Sequence, residues 1–165
     1  MTRTAAARLA SVAGVVVVLD QLSKVLALDR LAPGTPLPVI DGVLSLTLVM
    51  NRGLAFGLLG GVPPGFRWIV VLLSVAALVV LVRVALHVLP RGSVIDHGTL
   101  GLVFGGAVGN LIDRGRFGAV VDFVDVYYRA WHWPAFNVAD SAISVGVVLL
   151  ALRLMTERGG RRSRA

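Results

Sequence analysis

The sequence predicts an all-α integral membrane protein with four transmembrane helices, a small extracytoplasmic β-hairpin element and a surface-lying loop or amphipathic segment. Composition is the first observation: 56% of the 165 residues are hydrophobic and 15% charged, against about 45–50% and about 25% in soluble domains. The mean hydropathy of +0.84 agrees. Four apolar runs are the second observation. The third is a short stretch where the hydrophobic period changes from 3.6 to 2.

A membrane helix needs about 20 mostly apolar residues to cross about 30 Å of hydrocarbon. Residues 10–28, 66–89, 98–112 and 134–154 are read as the spans of one membrane domain covering 1–165. The third is short and glycine-rich, and it is kept because its neighbours demand a return crossing. Its Gly101, Gly105 and Gly109 make two successive G-x-x-x-G steps, which let another helix approach closely. Asp20 and Lys24 interrupt the first run, so it does not read as a cleaved signal peptide.

Charge sets the orientation. Arg3 and Arg8, then Arg83 and Arg91, then Arg153, Arg158, Arg161, Arg162 and Arg164 flank the spans on one side, nine of the 16 basic residues. Both termini therefore read as cytoplasmic, and 158–165 as a disordered basic tail near anionic lipid. The net charge of +7 then needs no nucleic acid. Zero cysteines exclude disulfide scaffolds, thiolate metal sites and thiol catalysis. His87, His97 and His132 lack ligand spacing, so neither metal nor cofactor is expected.

The outer connections carry the interest. In 36–57, Leu44, Leu46 and Leu48 alternate with Ser45 and Thr47, and Asp41-Gly42 separates two β-rich runs, a strong hairpin signal. The connection 113–133 holds Asp122 and Asp125 among aromatic neighbours and is read as a loop lying on the membrane surface. Ten of the 11 aromatic residues fall in or beside these two connections.

Five of the nine acids converge at that side: Asp20, Asp113, Asp122, Asp125 and Asp140. Ionisable groups near hydrocarbon are costly and mark functional sites by default. Asn137, Asp140, Ser141 and Ser144 form a polar helical stripe, Asn110, Asp113 and Arg114 a second, and Asp20–Lys24 an i, i+4 pair. Asp113 ends its span where the helix dipole opposes it, so pairing with Arg114 is expected. Two carboxylates brought together share a proton and can serve as base and acid. Spacing leaves open whether Asp122 or Asp125 partners Asp140. A small proton- or cation-coupled carrier could use the same acids, although a carrier should string them along a path.

Five blocks now stand together: Asp20-Gln21-Leu22-Ser23-Lys24, Asn51-Arg52-Gly53-Leu54-Ala55-Phe56, Gly109-Asn110-Leu111-Ile112-Asp113-Arg114, Val121-Asp122-Phe123 and Phe136-Asn137-Val138-Ala139-Asp140-Ser141. In order and spacing they resemble the lipoprotein signal peptidase family, the bacterial type II signal peptidases. The resemblance implies an aspartic endopeptidase of the bacterial plasma (inner) membrane, working as a monomer with its active site toward the outer face. It would cut a diacylglyceryl-modified prolipoprotein just before the lipidated cysteine. It implies Asp122 and Asp140 as the catalytic pair. Asn51, Gly53, Asn110, Arg114, Asn137 and Ala139 would bind substrate or support the dyad, and Asp20, Lys24 and Asp113 would be structural. Leu54 departs from the family's N-x-G-A-A-F pattern, which bears only on the shape of that loop.

Overall fold

A computed structural model describes residues 3–53, 67–88 and 92–162. Four helices and a four-stranded antiparallel sheet are ordered along the chain as α1 (Arg3–Arg30), β1 (Leu37–Ile40), β2 (Leu44–Asn51), α2 (Arg67–Val88), α3 (Val94–Phe117), β3 (Val120–Tyr128), β4 (Trp131–His132) and α4 (Val138–Arg162). By length and composition, α1 and the Trp68–Ala85 stretch of α2 are apolar enough to cross a membrane. Their outward side chains are apolar and exposed: Val15, Leu22 and Leu26 on α1, Leu72 and Val80 on α2. The same holds for Val148, Leu152 and Met155 on α4.

Helix α3 is the hub, packed against α1, α2 and α4. Its N-terminus is fixed by a capping box in which Ser93 and Asp96 exchange side-chain and backbone hydrogen bonds. Arg153 of α4 donates to the same Asp96 from Nε at 2.9 Å. The stripe of small residues does what its spacing suggests, within one chain. A Cβ on Gly105 would lie 2.6 Å from Val16 Cβ and 2.8 Å from the Ala13 carbonyl of α1. Apolar helices gain little from hydrophobic transfer in lipid, so such close van der Waals packing holds them together.

The hairpin expected around Asp41-Gly42 is present as β1–β2, with Gly42 at φ 78°. It belongs to a larger sheet, ordered β1-β2-β3-β4, so the all-α description is corrected. The surface loop expected at 113–133 is not a loop. Residues 113–117 complete α3, Gly118 caps it at φ 64°, and Val120–Tyr128 is the long strand β3. Val-Val-Asp-Phe-Val-Asp-Val-Tyr-Tyr is rich in β-branched and aromatic residues, but two acids break its apolar run and hide the strand. Of the tail expected to be disordered, residues 158–162 continue α4, and 163–165 lie outside the described residues. Each residue added to an existing helix closes one more backbone hydrogen bond without a new nucleus. The expected fourth span starts at Val138, four residues late, because 133–136 pair with β3 instead. Residues 54–57 of the hairpin region, Leu54 among them, lie outside the described residues.

Candidate active site

Two backbone features bring the site together. Between the pairs Leu46↔Val124 and Val49↔Asp122, β2 carries one residue more than β3, a β-bulge. A slip of one residue exchanges the faces of a strand, so the bulge decides which side chains of β2 meet β3. It sets Asn51 diagonally across from Asp122, and Asn51 Nδ2 donates to Asp122 Oδ2 at 3.0 Å. The second feature is the return of the chain along β3. Trp133 N donates to Val126 O at 2.8 Å and Phe136 N to Val124 O at 3.1 Å. That zipper delivers Asn137 beside Asp122 just as α4 begins.

Asn137 caps α4: its Oδ1 accepts from Asp140 N at 2.9 Å. Its Nδ2 donates to Asp122 Oδ1 at 2.7 Å. One residue therefore joins the two acids from different elements. Asp140 lies in the first turn of α4, and its Oδ1 accepts from Asn110 Nδ2 at 2.8 Å. Asp125 has other partners, Ser45 Oγ at 3.1 Å and His132 Nδ1 at 3.0 Å. It shares none with Asp140, so the structure groups Asp122 with Asp140.

Below this pair is a buried ionic layer. Lys24 is 2% exposed, and its Nζ lies 2.8 Å from both Asp20 Oδ2 and Asp113 Oδ2. The expected Asp20–Lys24 pair is present, whereas the expected Asp113–Arg114 pair is not. Asp113 is one turn before the end of α3, facing α1 rather than solvent, so it takes Lys24, Gln21 Nε2 at 3.0 Å and Val121 N at 3.0 Å. Arg114 instead donates from Nη2 to Gly53 O at 2.8 Å, tying the end of β2 to α3. Asp20 also accepts from Ala139 N at 3.0 Å, a carboxylate on the N-terminus of α4. Ala139 is fully buried under α3: a Cβ on Gly106 would meet its carbonyl, and one on Gly109 would lie 3.5 Å from its Cβ. Gln21 has no role readable from its motif; its Nε2 donates to Asp20, Asp113 and Gly109 O and its Oε1 accepts from Arg116 Nη1, contacts that exist only in the fold.

The electrostatics follow from burial. Asp122 is fully buried, at 0% exposure. Desolvation, and then the negative charge of Asp140, lift its carboxyl from the ordinary 3.8 to about 7. The amides of Asn51 and Asn137 and the charge of Lys24 hold it from rising further. Asp140 is half-buried and opens onto a cavity of about 390 Å³ lined by Asn51, Trp133, Phe136, Ser141 and Ser144. The polar stripe of α4 thus faces this cavity. A partly apolar cleft with a carboxylate on its wall and a second, proton-holding carboxyl behind it suits acid–base cleavage of an apolar substrate. Among the described residues, no group of three or more acids, histidines or cysteines is placed to hold a metal ion.

Comparison with known proteins identifies the family. A family model described as signal peptidase (SPase) II matches residues 12–156. A lipoprotein signal peptidase of Geobacter sulfurreducens is 47% identical over 140 residues, 85% of this chain and 86% of its own. One of Desulforapulum autotrophicum is 45% identical over 157 residues, covering 94% and 96%. A solved bacterial membrane enzyme matches the fold with a TM-score of 0.75 at 30% identity, over 90% of this chain and 88% of the other. A second gives 0.69 at 30% identity, over 87% and 89%. With the matched region holding all five motif blocks and the whole polar cluster, the chain belongs to the signal peptidase II family.

Proposed function

We propose that this peptidase removes signal peptides from diacylglyceryl-modified prolipoproteins by aspartic catalysis, with Asp122 and Asp140 as the dyad and the cut just before the lipidated cysteine. The observation that carries the reading is the joint hold of Asn137 on both acids, 2.7 Å to Asp122 and 2.9 Å from the Asp140 N–H. Around neutral pH the pair keeps one proton, since burial and the neighbouring charge oppose loss of the second. The ionised carboxylate draws a proton from a water that attacks the scissile carbonyl. The protonated partner hydrogen-bonds the carbonyl oxygen and stabilises the developing oxyanion, then a proton passes to the leaving amine. Asn51, Gly53, Asn110, Arg114, Asn137 and Ala139 hold the dyad and the substrate chain, and Asp20 and Asp113 anchor the layer beneath.

In this reading all four helices cross the membrane as one domain, with both termini cytoplasmic and the sheet and dyad toward the outer face of a bacterial inner membrane. The exposed apolar faces of α1, α2 and α4 support it. The lipidated substrate enters sideways from the bilayer, and a monomer suffices. The carrier alternative gains nothing, because the acids of the site gather at one end of the helices. Purified protein in liposomes with a diacylglyceryl-prolipoprotein tests the reading by mass-resolved cleavage. Asp122→Asn and Asp140→Asn are each expected to abolish turnover with helicity retained; full activity in either would remove that residue from the dyad.

A further inference from the structure

We infer that Lys24 is a positioning residue for the reaction: its ammonium turns the Asn110 amide so that the NH2 end faces Asp140. The inference rests on the dyad reading above. An asparagine side chain looks nearly the same either way round, and only its partners decide which end is oxygen. Three asparagines aim an NH2 at the two acids, and each has its oxygen pinned by a group that can only donate. For Asn51 the pin is the Gly53 N–H at 2.9 Å, and for Asn137 the Asp140 N–H at 2.9 Å. Both are backbone groups. For Asn110 it is a side chain, Lys24 Nζ at 3.0 Å.

An ammonium has three hydrogens and no acceptor, and Lys24 directs them at Asp20, Asp113 and the Asn110 oxygen. A turned Asn110 would set NH2 against the ammonium, with both side chains buried. Asn137 Nδ2 also approaches the Asn110 oxygen, at 3.3 Å, but its hydrogens already serve Asp122 at 2.7 Å and Val121 O at 3.3 Å. Without Lys24, Asn110 is free to turn and accept a hydrogen bond from a protonated Asp140 instead of donating one to it. The dyad would then hold its proton in the wrong place.

The ion layer complicates a plain deletion, because Lys24→Met leaves Asp20 and Asp113 facing each other. The balanced double variant Lys24→Met/Asp113→Asn keeps the layer at the same net charge. If Lys24 is a positioning residue, this variant regains thermal stability over Lys24→Met while kcat stays about 30-fold or more below wild type, with KM within about threefold. The charged groups around the dyad are Asp20 and Lys24 from α1 and Asp113 and Arg114 from α3; Lys24 and Arg114 both favour the ionised form of Asp122, and only Lys24 is removed in the balanced variant. The alkaline limb of the kcat profile, where the dyad loses its proton, therefore moves to higher pH in the balanced variant. Turnover that returns with stability, a variant that stays unfolded, or a limb that does not move would each overturn the inference. Asp122→Asn measured in parallel keeps the readings apart. Activity there removes the dyad itself, whereas activity in the balanced variant beside an inactive Asp122→Asn removes only the role of Lys24.

Discussion

Asp122→Asn should stabilise the protein at alkaline pH while losing to wild type, or merely matching it, under acid conditions. In the folded chain Asp122 holds its proton to about 7, against an ordinary 3.8. Its contribution to stability is fully present below 3.8 and is lost as the pH rises through about 7. In that window the unfolded chain has released the proton and the folded one has not, so each pH unit costs about 1.4 kcal/mol. The whole rise is worth about 4 kcal/mol, of which about 3 kcal/mol falls between pH 5 and pH 8. Asparagine cannot ionise and escapes this loss. It has one oxygen for two pinned donors, Asn51 Nδ2 and Asn137 Nδ2, so one of them faces an NH2 at a cost of about 1–3 kcal/mol. The variant should therefore be about 1–3 kcal/mol more stable than wild type at pH 8, the trade of stability against activity common at catalytic sites. Reversible unfolding in mixed micelles, followed by circular dichroism from pH 5 to pH 8, measures the difference. Parallel profiles for wild type and variant would refute the account of Asp122.

Two further outcomes test the architecture. Gly105→Ala forces α1 away from α3, because the new methyl meets backbone as well as Val16; a loss of about 1–3 kcal/mol is expected as a lower Tm, with an unchanged pH profile. Asp125→Asn keeps an acceptor for Ser45 or His132 and leaves the proposed dyad alone, so turnover within about threefold of wild type and a stability loss of about 1 kcal/mol are expected. Inactivity with an intact fold would contradict the separation of Asp125 from Asp140.

Much of this molecule is legible along the chain because the signals are local. Helix α2 falls within a residue or two of its expected ends, and the Asp41-Gly42 hairpin lies where the change of period placed it. The small-residue stripe on α3 likewise announced a close helix partner. Strand β3 was hidden for an equally physical reason. Apart from His132, the partners that hold its acids lie 15 to 80 residues away, which no local pattern reveals.

The sequence by itself determined that the chain is a membrane protein, which runs become helices, and that its acids gather at one end, since hydropathy and helical period act over a turn or a span. Tertiary structure decided which aspartates share a partner, Asn137 donating to the Asp122 carboxylate and accepting from the Asp140 backbone N–H. Asp122 and Asp125 look alike in the sequence, but the bulge in β2 and the return of 133–136 along β3 give Asn51 and Asn137 to one and Ser45 and His132 to the other. It also decided that Lys24 serves Asp113 and Asn110 as well as its helical neighbour Asp20. Hydrogen-bond partners at such distances depend on register and helix packing, which exist only once the chain has folded.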